Sequence, residues 1–260
     1  MKIQGAVALI TGAAEGLGKA FSEELLKRSA RGVSIVDYNS AKGKATEDEL
    51  NKKYGEDKVR FFQCDVTSKD QLEDAFSKTL EHYKGIDIVC NNAGIGDEIN
   101  WERTVDVDLV AVMRGTFLAK NMMDKKNGGR GGIVINIASM AGMLPMPLIP
   151  AYTAAKHGVL GFTRAIAIGD SVFNLKNVRI NCLCPSFSET AILEGMREFI
   201  KHPVAKAIYG SELETIPVSM VAEGFIRLVE DDSKHGEVMR CTPQNGIDYK
   251  KYRDLVPSKL

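Results

Sequence analysis

A tyrosine stands four residues before a lysine in the stretch AYTAAKHG, residues 151–158. On a helix, Tyr152 and Lys156 would share one face, one turn apart. A lysine ammonium near a phenol favours the phenolate and lowers the phenol pKa from about 10, so Tyr152 is a candidate catalytic base. The same spacing occurs twice more, in polar stretches typical of solvated helix faces, at Tyr38/Lys42 and Tyr54/Lys58. Spacing alone therefore does not assign the chemistry.

A serine supplies the context that the other two pairs lack. Ser139 ends the apolar run GIVINIAS, residues 132–139, and precedes Tyr152 by 13 residues. A strand there and a helix after it would bring both hydroxyls to one point above the carboxyl edge of a sheet, where open α/β sheets bind ligands. Considered alone, Ser139 could equally be an ordinary strand-end hydroxyl.

A glycine-rich stretch predicts a phosphate-binding turn. TGAAEGLG, residues 11–18, leaves an apolar run and opens an amphipathic one. Gly12, Gly16 and Gly18 would let the backbone turn tightly and approach a pyrophosphate, while the helix N-terminus offers N–H groups and a positive dipole. The position between a strand and a helix makes this common pattern more specific.

Asp37 predicts which dinucleotide binds. It ends the second apolar run, where a carboxylate can accept both hydroxyls of the NAD ribose and would repel the 2′-phosphate of NADP. Glu15 adds negative charge, and no Arg or Lys follows Asp37 before Lys42. NAD is therefore the expected cofactor, although an Asp in this position could also simply cap a turn.

Short apolar runs alternate with amphipathic stretches along the chain. The predicted strands are residues 6–11, 33–37, 59–66, 86–92, 132–139 and 178–185, with a shorter one near 236–241. The predicted helices are residues 16–28, 40–54, 69–83, 101–124 and 151–170. This alternation predicts an α/β fold with a Rossmann-like, doubly wound parallel sheet of about seven strands. We expect one domain over residues 1–260, in which an irregular segment at about 186–216 covers the substrate.

The motifs together resemble those of the short-chain dehydrogenase/reductase family over about residues 5–195. They are the T-G-x-x-x-G-x-G spacing, NNAG at 91–94, Ser139 and Tyr152-x-x-x-Lys156. The resemblance implies catalytic residues Ser139, Tyr152, Lys156 and Asp108. It also implies cofactor-binding residues Gly12, Gly16, Leu17, Gly18, Asp37, Asp65, Val66, Asn92, Tyr152, Lys156 and Thr190.

The roles implied by the resemblance are those of an alcohol oxidation. Tyr152 would remove the hydroxyl proton as general base. Lys156 would lower the pKa of Tyr152 and hold the nicotinamide ribose, and Ser139 would donate a hydrogen bond to the reacting oxygen. Asp65 would contact the adenine, and Thr190 the carboxamide. The segment 91–94 would stabilise the central strand beside the cofactor.

Further segments resemble the 15-hydroxyprostaglandin dehydrogenase branch of this family: NNAGI with NWE, KKNGGRGGI, FTR and TAILE. Apolar residues, several of them Met, cluster on the expected substrate side. They are Met140, Met143, Leu144, Met146, Leu148, Ile149, Phe187, Ile192, Leu193 and Met196. Such residues suit a long, bent apolar ligand, and the interpretation that about half of them are simply core residues has equal weight.

Three positions depart from the pattern that the resemblance implies. Ile149 stands where the prostaglandin enzymes have a Gln that helps to hold substrate, and Ser186 replaces a Gly after Pro185. Asp108 replaces a helix Asn that supports a water-linked proton relay to the lysine. Ile149 thus weakens the argument for a prostaglandin substrate, and Asp108 bears on catalytic efficiency.

Two classes of function remain open. The first is NAD-dependent oxidation of a secondary alcohol, on a lipid-like compound such as a 15-hydroxyprostaglandin or hydroxy fatty acid, or on steroids or small alcohols. The second is a weakly catalytic NAD-binding protein that acts through interactions. Ser139, Tyr152 and Lys156 together favour the first, because a binding protein has no need of all three. A homo-oligomer, with the helices 101–124 and 151–170 at its interface, is an expectation from the family resemblance.

Composition excludes several other classes. The 34 basic and 34 acidic residues balance, which gives no argument for nucleic acid, and no apolar stretch approaches 18 residues, so no membrane span is expected. The five cysteines, an odd number without C-x-x-C, suggest reduced, mostly buried thiols. Cys182 and Cys184 could be metal ligands, but no set of His or Cys partners has suitable spacing, so no metal is predicted.

The last three residues, Ser258-Lys259-Leu260, match the S-K-L address for peroxisomes. They follow a polar, Pro-containing stretch that we expect to be exposed. The sequence therefore predicts a peroxisomal protein if this terminus is native, with the cytoplasm as the alternative.

Overall fold

The computed structural model describes residues 1–175, 177–190, 193 and 214–252. Most of the segment expected to cover the substrate, and the S-K-L tripeptide, lie outside the described residues. The strands are β1 (Val7–Thr11), β2 (Gly32–Asp37), β3 (Val59–Gln63), β4 (Ile88–Asn91), β5 (Gly132–Ile137), β6 (Val178–Pro185), β7 (Val238–Thr242) and β8 (Gly246–Tyr249). The helices are α1 (Gly16–Lys27), α2 (Ser40–Tyr54), α3 (Lys69–Tyr83), α4 (Trp101–Val105), α5 (Ala111–Met123), α6 (Pro150–Val172) and α7 (Val218–Glu230).

The strands form one sheet in the order β3-β2-β1-β4-β5-β6-β7-β8. The first seven pair in parallel, and β8 pairs with β7 in antiparallel register, Met239 opposite Tyr249. The order reverses beside β1, which is the doubly wound arrangement. The predicted α/β class and parallel sheet are thus confirmed, and β8 is an edge strand that the sequence analysis missed.

Helices cover both faces of the sheet, which explains why the central strands are apolar without alternation. On one face α1 and α7 meet through Phe21 and Phe225, whose rings stack with centroids 4.5 Å apart. On the other face Phe76 of α3 and Met123 of α5 are fully buried. These two layers hold the parallel strands in fixed register.

The carboxyl ends of the parallel strands all lie at the same edge of the sheet. Gly12 follows β1, Asp37 ends β2, Asn92 follows β4, Ser139 comes two residues after β5, and Ser186 follows β6. The fold therefore assembles at one edge residues that are far apart in sequence.

The stretch predicted as one helix over 101–124 is interrupted. A π-helical turn, Asp106–Val110, joins α4 to α5. Such turns hold one extra residue within a helix and often occur at functional sites. Here the turn places Asp108 in the protein interior, with no exposed surface.

No helix among the described residues is both long and apolar enough to cross a membrane. All five cysteines are buried and free, in line with the prediction of reduced thiols. No group of His, Cys, Asp and Glu in the described part of the chain has the geometry of a metal site.

Candidate active site

Helix α6 brings Tyr152 and Lys156 together, one turn apart. The Lys156 ammonium lies 5.3 Å from the centroid of the Tyr152 ring. The Ser139 hydroxyl faces the Tyr152 phenol and favours its ionised form. The three residues predicted to act together therefore converge at the carboxyl edge. The two other pairs of the same spacing differ from this one, since neither lies beside the strand-end serine.

Lys156 is held by two partners in the interior. It is 3% exposed, its Nζ donates a hydrogen bond to the Ile137 carbonyl at 3.1 Å, and it forms an ion pair with Asp108 Oδ2 at 3.0 Å. Burial is the largest single effect and lowers the pKa of Lys156, but the charge and hydrogen bond of Asp108 and the charge of Tyr152 together outweigh burial, so the net pKa is raised. The geometry therefore supports a protonated Lys156.

Asp108 is fixed from two sides. Its Oδ1 accepts a hydrogen bond from the Ile95 backbone N–H at 2.8 Å, and its Oδ2 faces Lys156. Burial raises the pKa of Asp108, and the attraction of Lys156 offsets this only in part. Gly94 lies against the pair, since a Cβ there would come within 3.1 Å of Asp108 Oδ2. Asp108 thus contacts Lys156 directly and places a carboxylate where the family resemblance implies an Asn.

The net pKa of Tyr152 is raised, whereas the sequence analysis expected Lys156 to lower it. Burial raises the pKa of the phenol and is the largest effect, Lys156 lowers it, Asp108 raises it, and Ser139 lowers it. The net pKa is raised, because the charge of Asp108 partly neutralises Lys156 and burial disfavours a phenolate. Lys156 lowers the pKa of Tyr152, as expected, but this lowering is smaller than the rise caused by burial and Asp108.

The glycine-rich turn has the close approaches that the sequence predicted. Gly12 and Gly16 have φ of +64° and +58°, and a Cβ on Gly12 would lie 2.7 Å from the Ala93 Cα. A Cβ on Gly18 would lie 2.5 Å from the Gly12 carbonyl oxygen. No described side chain caps α1, so the N–H groups of Gly16, Leu17 and Gly18 form an uncapped positive helix end.

Asn92 ties this turn to the neighbouring strand. Its Nδ2 donates to the carbonyls of Thr11 and Gly12, both at 2.9 Å, and its backbone N–H donates to Thr11 Oγ1 at 3.0 Å. Asn92 therefore supports the shape of the turn from beneath. Thr11 was not predicted as a site residue, although a hydroxyl directly before a glycine turn was a usable signal.

Asp37 lies where the ribose of a dinucleotide would be expected. Its carboxylate accepts hydrogen bonds from the backbone N–H groups of Ala14 at 3.1 Å and Asn39 at 2.9 Å. Lys42, the nearest base after Asp37, is held by both oxygens of Glu15 at 2.8 Å. The turn and this carboxylate together fit the pyrophosphate and adenosine ribose of NAD.

The remaining predicted cofactor residues surround the same edge. Asp65 accepts two hydrogen bonds from Thr67 and faces Arg103 at 3.6 Å, and Val66 is buried after it. The Thr190 methyl group lies 3.7 Å from the position of a Cβ on Gly16, so Thr190 adjoins the glycine turn. The structure thus brings every predicted site residue to this edge of the sheet.

The apolar residues on the substrate side divide into two groups. Ile149 and Leu193 are buried, as core residues are, and Leu144 is exposed. Met140, Met143, Met146 and Leu148, between Ser139 and α6 in the chain, and Phe187, after β6, are half-buried. Ile192 and Met196 lie outside the described residues. The half-buried group is the part that could contact an apolar substrate.

One contact at the site was not predicted. The backbone N–H groups of Ala151 and Tyr152 donate to the carboxylate of Glu98, at 3.0 and 2.9 Å. The available signal was the start of α6, where Ile149 and Pro150 supply no capping side chain. That signal indicates that a cap is needed but does not identify which distant residue provides it.

Comparisons with known proteins agree with this geometry. A family profile described as short chain dehydrogenase matches residues 6–201. The chain is 41% identical to the 15-hydroxyprostaglandin dehydrogenase [NAD(+)] of Rattus norvegicus and to that of Homo sapiens, each over 99% of this chain and 98% of the relative. It is 33% identical to 3beta-hydroxysteroid dehydrogenase 2 of Eggerthella lenta, over 80% of each chain. The crystal structure of levodione reductase superposes with a TM-score of 0.78 at 26% identity, covering 91% of this chain and 96% of that one.

Proposed function

Because the chain belongs to the short-chain dehydrogenase family and is an NAD-dependent alcohol dehydrogenase, we propose that it oxidises the secondary alcohol of a lipid-like hydroxy compound. A 15-hydroxyprostaglandin or a hydroxy fatty acid is the class of substrate we favour. The convergence of Ser139, Tyr152 and Lys156 beside the glycine turn is the main support for this type of reaction.

In the proposed reaction Tyr152 acts as general base. Its ionised hydroxyl removes the proton of the substrate alcohol, while Ser139 donates a hydrogen bond to the same oxygen as negative charge develops there. The protonated Lys156 stabilises the Tyr152 phenolate from below the ring and donates to the cofactor ribose. Bound NAD would accept the hydride that leaves the carbinol carbon of the substrate and would supply a positive charge in its oxidised form.

The cofactor would be held by residues already in place. The uncapped N-terminus of α1 offers N–H groups to the pyrophosphate, and Asp37 offers a carboxylate to the ribose hydroxyls. Asp65, Val66 and Thr190 complete the proposed contacts. Tight positioning of alcohol and cofactor by such groups supplies a large part of the rate in reactions of this kind.

Two observations support a lipid-like substrate. The half-buried group Met140, Met143, Met146, Leu148 and Phe187 can adapt to a long apolar chain. The names of the relatives at 41% identity, which span nearly the whole chain, point to a prostaglandin. Ile149 is an apolar residue buried at the start of α6, so it cannot hydrogen-bond substrate as the Gln implied at this position in the prostaglandin enzymes would.

A hydroxysteroid is the second candidate substrate. It is favoured by the name of the bacterial relative at 33% identity, and a rigid apolar ring system would also suit a pocket without the polar Gln. Small secondary alcohols are a further option. A role as a weakly catalytic NAD-binding protein is less favoured, because all three catalytic groups are present and convergent.

The test is a panel of secondary alcohols scored by NADH formation. The panel contains a 15-hydroxyprostaglandin, a hydroxy fatty acid, a hydroxysteroid and a small alcohol, with Tyr152→Phe as the matched control. We expect the lipid-like alcohols to give the largest kcat/KM and Tyr152→Phe to lose turnover while it retains NAD affinity. More than a few per cent of residual activity in Tyr152→Phe would refute the assigned base, and a preference for the small alcohol would refute the substrate class.

We further propose a homo-oligomer formed through α5 and α6, and a peroxisomal location through Ser258-Lys259-Leu260. The first is supported by exposed apolar residues on those helices, Phe117, Ile168 and Val172. The second is supported by the tripeptide alone.

A further inference from the structure

The helix that carries Tyr152 begins without a local cap. Ile149, at the N-cap position, has a hydrocarbon side chain, and Pro150 at the first helical position has no N–H. The Thr153 N–H already donates to the Ile149 carbonyl at 2.9 Å. The N–H groups of Ala151 and Tyr152 are therefore the two donors of this turn that need a partner from elsewhere.

Glu98 satisfies both donors from a segment more than 50 residues away. Its Oε2 accepts from Ala151 and its Oε1 from Tyr152, so each carboxylate oxygen has one backbone partner. A negative charge at this end of a helix also interacts favourably with the helix dipole. The contact replaces the usual serine or aspartate cap with one that links two parts of the active site.

The segment that carries Glu98 is itself fixed. Asp97 Oδ1 accepts hydrogen bonds from Ile99 and Asn100, both at 3.0 Å, and Thr104 Oγ1 donates to the Asp97 carbonyl at 2.6 Å. Three residues before Glu98, the Ile95 N–H donates to Asp108, the partner of Lys156. One short segment thus contacts both the backbone of Tyr152 and the counter-ion of Lys156.

We propose that Glu98 is a positioning residue that sets the place of Tyr152 relative to Ser139 and Lys156. This inference rests on the proposed function, in which Tyr152 is the base. Glu98 acts through the helix backbone, whereas the groups that face the Tyr152 phenol itself are Ser139, Lys156, Asp108 and Cys184. Loss of the cap would let the first turn of α6 move and weaken the contact between the phenol and Lys156.

The test compares Glu98→Ala, Glu98→Gln and the control Glu102→Gln, which removes an exposed carboxylate from the neighbouring α4. With the best alcohol of the panel, Glu98→Ala should lower kcat by about tenfold or more. The KM for NAD should stay within about twofold, because the glycine turn is not touched. The pH midpoint of kcat should rise, since Lys156 would stabilise the phenolate less. The kcat and pH midpoint of Glu98→Gln should lie between those of Glu98→Ala and the parent enzyme, because the amide keeps one acceptor oxygen. Glu102→Gln should have the kcat and pH midpoint of the parent enzyme.

A second measurement is independent of activity. Amide hydrogen exchange of the peptide over residues 149–153 should be about fivefold faster in Glu98→Ala and unchanged in Glu102→Gln. Unchanged amide exchange in Glu98→Ala would overturn the proposal that Glu98 caps α6. Faster exchange with an unchanged kcat and pH midpoint would make the cap purely structural and overturn the positioning role. If instead Tyr152→Phe stayed active, the proposed function would fail, and the exchange result would still decide the cap.

Discussion

At the scale of single residues, Asp108 is the side chain that distinguishes this site. Its ion pair with Lys156 raises the pKa of the lysine, and its charge also raises the pKa of Tyr152. In Asp108→Asn the ammonium of Lys156 would be less neutralised and would favour the phenolate more. We expect the pH midpoint for alcohol oxidation to move downward, by about half a unit to one unit, with the fold intact because Asn keeps an acceptor for Ile95.

The pH–rate profile of kcat/KM measures this effect. Asp106→Asn is the matched control, since Asp106 lies in the same π-helical turn but is exposed. The control should keep the parent midpoint. An unchanged midpoint in Asp108→Asn would show that the carboxylate has no influence on the base.

Residue types and spacings could predict the identity of the catalytic groups but not their energetics. Tyr152, Lys156 and Ser139 follow from motif and context. The net pKa of Tyr152 depends on burial, and burial is set by packing from β5, β6 and the π-helical turn. The pairing of Glu98 with α6 likewise joins two segments whose contact no local pattern encodes.

At the scale of elements, the turn between β1 and α1 and the end of β2 together set the choice of cofactor. Asp37 is fixed by two backbone N–H groups, and Glu15 holds Lys42. We expect the double variant Asp37→Ala/Tyr38→Arg to raise the ratio of NADP to NAD kcat/KM by at least about tenfold, because a repulsive charge is replaced by one that pairs with a phosphate. Tyr38→Arg alone is the control and should change the ratio less. If the parent enzyme used NAD and NADP with comparable kcat/KM, Asp37 would not set the choice of cofactor.

Element prediction identified seven strands and five helical stretches from their apolar patterns, but it missed three features: the π-helical turn, β8 and the helix α7, Val218–Glu230. The extra residue in the turn Asp106–Val110 leaves the apolar pattern of a helix nearly unchanged, so the pattern predicted one unbroken helix. β8 has only four half-buried residues, too few for a clear alternation. Its Asn245-Gly246 dipeptide between two strands was, however, a usable hairpin signal.

At the scale of the whole molecule, the C-terminal tripeptide predicts the location. A C-terminal S-K-L is an address read by a receptor, so Ser258-Lys259-Leu260, if this terminus is native, would need no contribution from the fold. A fluorescent protein fused to the N-terminus should give punctate fluorescence, which should become diffuse when Leu260 is deleted. Diffuse fluorescence from the intact chain would exclude peroxisomal import.

The exposed apolar residues of α5 and α6 predict the assembly. Phe117 of α5 is 54% exposed and packs edge to face on Phe162 of α6, with ring centroids 5.6 Å apart. Val110, Ile168 and Val172 add exposed apolar surface on the same two helices and the turn before them. Exposed apolar residues on neighbouring helices are typical of a face that a partner covers, and a second copy would cover it symmetrically.

Light scattering after size exclusion tests this assembly. The parent chain should elute as a dimer or tetramer. Phe117→Arg should shift the population toward the monomer by about tenfold or more in the dissociation constant, because it places a charge in the centre of the apolar face. Leu80→Arg is the matched control, since Leu80 is exposed on α3, away from that face, and its substitution should leave the mass unchanged. A parent chain that stays monomeric at high concentration would show that these aromatic residues serve another contact.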